Sequence, residues 1–172
     1  MKTTFVFLLM VCLSGTEFAQ LDFDVEPILA DEVPDTVRAS QANYFPNANV
    51  DRWEKHMADG QKNSVISYAA SFRGASNQLI RASYMEGGTG IKAVTVYTSA
   101  TQFPSLIQTV AAQNYSNHTL MGGQKIELLS KGNAFFRLRL RRGVRGRPLI
   151  VYLNSEGEEI APESLPVKVR EK

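Results

Sequence analysis

The chain has 172 residues, 44% of them hydrophobic, with 19 lysines and arginines against 17 aspartates and glutamates and a formal net charge of +2. That length can bury a core in one domain or in two small fused halves. Its single cysteine, Cys12, falls inside a leader expected to be removed, so disulfides, thiolate metal sites and cysteine nucleophiles are excluded from the processed chain.

MKTTFVFLLMVCLSGTEFAQ opens with one lysine, an apolar run from Phe5 to Leu13, and then small and polar residues. The run is too short for a helix that spans a bilayer, which needs about 20 apolar residues. It predicts a secretory signal peptide over residues 1–19, cut after Ala19, and hence export as a soluble periplasmic or secreted protein. Cys12 raises lipoprotein processing, but Val11 before it is bulkier than such a site prefers.

Residues 20–32 read as an acidic leader. LDFDVEPILADEVPD, from 21 to 35, carries six carboxylates and no lysine or arginine. With little periodicity it is expected to be flexible. From Gln61 onward fifteen lysines and arginines face seven carboxylates. An acidic leader on a basic body favours intramolecular pairing, in which the leader covers the basic surface, or an acidic partner.

An internal repeat follows. VPDTVRASQANYFPNANV (33 to 50) aligns without a gap on FPSLIQTVAAQNYSNHTL (103 to 120), bringing together Pro34 and Pro104, Val37 and Ile107, and Phe45 and Tyr115. The predicted organisation is two halves, 33–100 and 101–172, each a short helix followed by antiparallel strands. Proline suits a helix start, where its missing N–H has no partner to lose. Val33, Val37 and Ala42, and then Ile107, Val110 and Ala111, are the expected inward faces.

The strands show period two. Ile66, Tyr68, Ala70 and Phe72 share one face of SVISYAASF, and Ile80, Ala82 and Tyr84 share one face of QLIRASY. IKAVTVY and QKIELL continue the alternation less cleanly. Glycines, Gly122 and Gly123 among them, are expected in the turns. A helix covering one face of an antiparallel sheet, done twice, is the α+β architecture expected.

FFRLRLRRGVRGRP, 135 to 148, holds six arginines. Phe136, Leu138 and Leu140 alternate with Arg137, Arg139 and Arg141, so the arginines leave one side of a strand together and Arg142 opens the turn. A sheet covered on one face commonly leaves the other wet, and charged runs are most simply solvated faces. Phe135 falls on the arginine side, where an exposed aromatic would resemble an interface anchor. Phe135, Arg137, Arg139, Arg141 and Arg142 are therefore the candidate binding residues.

Residues 32 to 160 resemble the PepSY-like, beta-lactamase-inhibitor-like proteins that bacteria secrete. The motifs are Val33-Pro34 before a short helix, the turn Phe45-Pro46-Asn47-Ala48, Trp53 early in the first strand, and Phe103, Pro104 and Tyr115 in the second half. The resemblance implies a tandem of helix-on-sheet units, similar to inhibitors that grip an enzyme with an open sheet surface. GGTGIKAV and the arginine-rich strand depart from the pattern.

Catalytic signals are weak. His56 and His118 are far apart in sequence, with no HExxH spacing, and read as surface residues near turns. No Gly-x-Ser-x-Gly elbow occurs, GGTG lacks the phosphate-loop lysine, and Glu156, Glu158 and Glu159 crowd a wet hairpin tip. No catalytic residue, metal or cofactor is expected. The chain reads as an exported, non-catalytic binding protein for an acidic protein partner. A basic module for anionic envelope polymers or lipid headgroups is the alternative, and export disfavours nucleic acid.

Overall fold

The computed structural model describes residues 24–57 and 65–170. The predicted signal peptide and the first residues of the leader lie outside them. Among the described residues eight strands form one antiparallel sheet in sequence order: β1 (Asp24–Ile28), β2 (Val50–Met57), β3 (Val65–Arg73), β4 (Leu79–Tyr84), β5 (Gly90–Tyr97), β6 (Thr119–Leu128), β7 (Asn133–Arg141) and β8 (Pro148–Asn154). Helix α1 (Asp35–Tyr44) intervenes between β1 and β2, and α2 (Ser105–Asn114) between β5 and β6.

The two helices match closely. Each has 10 residues, is capped by a proline (Pro34, Pro104), ends at an aromatic (Phe45, Tyr115), and follows a 3-10 turn, Ala30–Glu32 or Ala100–Gln102. Both prolines sit at the cap, one position before the first turn, where φ near −54° and −53° suits the ring.

Both helices lie on one face of the sheet. Val33 and Val37 pack with Tyr68, Ala70, Phe72 and Tyr84. Ile107 and Ala111 pack with Phe103, Leu138, Leu140 and Leu153. The small residues Ala70, Ala82 and Ala93 stand in register with Trp53 and belong to the first cluster. The inward residue late in α1 is Gln41, not Ala42, which is exposed. Burying this amide takes a partner: the Tyr84 hydroxyl donates to Gln41 Oε1 at 2.6 Å. Burial, with a smaller push from Tyr44, holds the Tyr84 hydroxyl well above the usual phenol range.

Three expectations are corrected here. Residues 24–32 are not a flexible leader: 24–28 are β1, hydrogen-bonded in register to β2, and Glu26 pairs with Lys55 at 2.9 Å. The little periodicity of the leader hid a strand that one neighbour supports. Its carboxylates also lie across the sheet from the arginine row. Six strand spacings of about 4.8 Å separate β1 from β7, so from Asp24 onward the leader does not cover those arginines.

Gly122 and Gly123 are inside β6, at a bulge between Leu120 and Gly122. They are needed there. A Cβ on Gly123 would sit 2.0 Å from the Arg137 carbonyl oxygen, and one on Gly122 would sit 2.6 Å from that of Tyr97. His56, finally, is in β2 and half-buried rather than at a surface turn.

Candidate functional site

Alternation in β7 divides its side chains as the sequence implies. Phe136, Leu138 and Leu140 are 5%, 0% and 1% exposed beneath α2. Arg137, Arg139 and Arg141 project from the opposite face, which carries neither α1 nor α2. The sheet register extends that face. Leu79, Val96, Gln124, Arg137 and Tyr152 form one row across β4 to β8, and Gly122, Arg139 and Ile150 form the next.

Gly122 contributes no side chain to its row, and this leaves a depression of about 510 Å³. Val96, Met121, Gln124, Arg137, Arg139 and Ile150 are among its lining residues. Met121, the extra residue of the bulge, and Ile150 are exposed apolar groups. The depression thus joins two guanidinium groups to an apolar rim.

Among the described residues the arginines have no counter-charge. Among the described residues none of Arg137, Arg139, Arg141 and Arg142 forms an ion pair. The Nε atoms of Arg137 and Arg141 are buried and have no hydrogen-bond partner among the described residues. Buried donors of this kind normally have acceptors, so a carboxylate or other anion on this face would satisfy groups that the chain leaves unmatched. Arg142 is exposed at the start of the β7–β8 turn.

Phe135 departs from expectation. It lies on the arginine side of β7 but is 8% exposed, packed with Ile126, Leu128, Leu165 and Val169. The last two come from the C-terminal segment, which runs through a 3-10 turn at Pro162–Ser164 into α3 (Val167–Arg170). This segment folds across the open face and buries an apolar stripe of Val94, Ile126 and Phe135, which are in register on β5 to β7. Phe135 is a core residue of the second face and not an exposed anchor.

Sequence reasoning also missed a charge cluster on the open face of β2 and β4. Glu54, only 8% exposed, pairs with Arg52 at 2.8 Å and with Arg81. Arg81 Nη2 approaches His56 Nε2 at 2.9 Å. Burial, then the Arg81 charge, lowers the His56 pKa against a smaller opposing effect of Glu54. A neutral imidazole accepting from Arg81 fits this geometry. Among the described residues no group of three or more His, Cys, Asp or Glu is placed to hold a metal ion. Nor is any helix among them long and apolar enough to cross a membrane.

This architecture occurs in solved structures. A BLIP-like protein from Bacteroides fragilis aligns over 74% of this chain and 84% of its own, with a TM-score of 0.56 and 15% identity. The fold is BLIP-like. A DUF2874 family protein from Bacteroides ovatus aligns over 74% and 84% of the two chains, with a TM-score of 0.55 and 15% identity. Another from Bacteroides uniformis aligns over 74% and 86%, with a TM-score of 0.54 and 15% identity. No protein-family model and no curated protein matches the sequence.

Proposed function

We propose that this chain is an exported, non-catalytic binding protein whose open sheet face holds an acidic protein partner through Arg137, Arg139 and Arg141. The observation that carries the reading is the row of guanidinium groups without carboxylate partners, two with buried Nε atoms lacking acceptors, beside a depression of about 510 Å³. Arginine suits this role because its planar fork meets carboxylates in bidentate fashion. Val96, Met121 and Ile150 supply the apolar contact that sets protein docking apart from simple charge attraction. Export rests on the N-terminal leader pattern. The reading includes a tandem duplication, 33–100 and 101–172, within the PepSY-like, beta-lactamase-inhibitor-like proteins, supported by the matching prolines, lengths and terminal aromatics of α1 and α2.

A second reading has one observation of its own. Arg142, Arg145 and Arg147 extend the charge beyond the sheet face into an exposed turn, where arrangement matters less than number. Anionic polymers or lipid headgroups would suit such a surface. Salt separates the two, because binding through many phosphates falls steeply with ionic strength and docking with an apolar centre falls less.

The test compares wild type with an Arg137→Gln/Arg139→Gln/Arg141→Gln variant as bait in a bacterial envelope extract over a salt series. Acidic proteins held by wild type at moderate salt and lost by the folded variant support the reading. Equal capture by both removes the open face from the function.

A further inference from the structure

We propose that copies of this chain associate head to tail, the β8 edge of one copy adding to the β1 edge of the next. The contact uses the backbone edges of β1 and β8 and not the row of Arg137, Arg139 and Arg141.

Among the described residues the sheet is open at both ends, since its order begins at β1 and finishes at β8 without closing. Free strand edges are templates for pairing with another chain. The outer side of β8 is only partly answered from within. Asn154 N donates to the Glu158 carbonyl at 2.9 Å, and Ile160 N donates to the Tyr152 carbonyl at 2.8 Å. The even-numbered residues of β8 therefore turn their backbone groups outward. The returning segment serves Tyr152 and Asn154, and among the described residues nothing serves Pro148 and Ile150.

Exposed apolar side chains accompany both edges. Leu149 and Ile150 are 39% and 37% exposed on β8, and Val144 at the preceding turn is 90% exposed. On the other side Val25 is 46% exposed on β1, and Leu29 just after it is 69% exposed.

The two edges carry complementary charge. Arg142, Arg145 and Arg147 lead into β8 and form no ion pair among the described residues. Asp31 and Glu32 follow β1 and likewise form none, whereas Glu26 is answered by Lys55. An antiparallel two-fold pairing of β1 with β1 would bring Asp24 of one copy toward Asp31 and Glu32 of the other, setting like charges together. Pairing β8 with β1 sets opposite charges together.

Topology permits that choice. All neighbours are antiparallel and there are eight strands, so β1 and β8 run in opposite directions. A second copy displaced along the sheet presents its β1 antiparallel to β8, with its helices on the same side. The end of β1, bearing Leu29, Asp31 and Glu32, then meets the start of β8, bearing Val144, Arg145 and Arg147. Such a heterologous contact does not close on itself and yields a series of species beyond the dimer. Pro27 and Pro148 each withhold an N–H, which keeps the added ladder short and the association reversible.

The experiment is sedimentation velocity on the chain from Gln20 onward, over a concentration series at low and high salt. A ladder of species growing with concentration at low salt and receding at high salt is expected. Arg145→Glu/Arg147→Glu alone, and Asp31→Lys/Glu32→Gln alone, should each raise the dissociation constant about tenfold or more. Gln at 32 keeps an acceptor for the Leu29 amide, which Glu32 Oε2 accepts at 2.7 Å. An equal mixture of the two variants should associate again, because each then offers the charge that the other lacks. A monomer at all concentrations, a series that stops at the dimer, or folded variants that associate like wild type would overturn the proposal.

Discussion

Leu138→Ala measures whether β7 is oriented as its sequence pattern requires. Leu138 is 0% exposed and belongs to the cluster that joins α2 to the sheet. The substitution removes three carbon atoms, worth about 0.8 kcal/mol each in transfer free energy, or roughly 2.4 kcal/mol before any cavity is counted. The site has little means of collapse. Its β6 neighbour in register is Gly123, which has no side chain to move into the space, and its β8 neighbour is Val151 on a paired strand. Total destabilisation of about 3–5 kcal/mol is therefore expected, toward the upper part of the range for such changes. Arg139→Ala is the control. Its side chain is exposed and forms no ion pair among the described residues, so less than about 1 kcal/mol is expected. Urea unfolding of both variants at one pH gives the comparison. An arginine change costlier than the leucine change would refute the facing assigned to β7.

Tyr84→Phe should cost about 1–3 kcal/mol in urea unfolding, because it strips the buried Gln41 Oε1 of its donor; adding Gln41→Met should recover much of that loss by removing the stranded amide. His56 faces Val25 of β1 and Ser67 of β3 in register, with Arg81 of β4 and Glu54 of its own strand beside it. Its folded pKa lies below the ordinary value of 6.5, so the unfolded chain binds more protons and stability should fall as pH drops through about 6.5 and below. His56→Gln should flatten that part of a stability–pH curve, and an unchanged slope would reject the assignment. Gly123→Ala should unfold the chain or shift the β6 bulge, since the new Cβ would meet the Arg137 carbonyl oxygen at 2.0 Å; near-wild-type thermal unfolding would contradict the close approach of β6 and β7.

The parts legible in the sequence were those in which one residue's environment follows from its neighbours in the chain. Period two in β3, β4 and β7 gave the faces of Tyr68, Phe72, Tyr84, Leu138 and their partners, because a strand must turn alternate side chains to opposite sides. Proline followed by a helix and an aromatic marked α1 and α2. What escaped depended on distant segments. Phe135 sits on the arginine side, as alternation requires, but Leu165 and Val169 return to cover it, and no local pattern encodes that return. Gly122 and Gly123 had the appearance of a turn, whereas the crowding that demands them comes from Tyr97 and Arg137 on the adjacent strands. β1 lacked periodicity because only β2 borders it. Gln41 takes the inward place expected of Ala42, and the hydroxyl that donates to its Oε1 lies on the distant strand β4.

The same long-range placements determine where charge is left unbalanced on the open face. On β2 and β4, Glu54 answers Arg52 and Arg81, and the His56 ring nitrogen meets Arg81 as well, so these two arginines are held within the fold. Farther across, the C-terminal segment covers Val94, Ile126 and Phe135 and removes the apolar stripe from solvent. The Lys92 ammonium donates to the carbonyl of Lys168 in that segment at 3.0 Å. Beyond this cover, on β6 to β8, Arg137, Arg139 and Arg141 stand without a carboxylate among the described residues, and there the glycine bulge opens a depression against them. Solubility alone would be served by arginines anywhere on the face. Their grouping where the described residues supply no counter-charge, with two buried Nε donors and an apolar rim formed by Met121 and Ile150, is what the proposed site for an anionic partner would require.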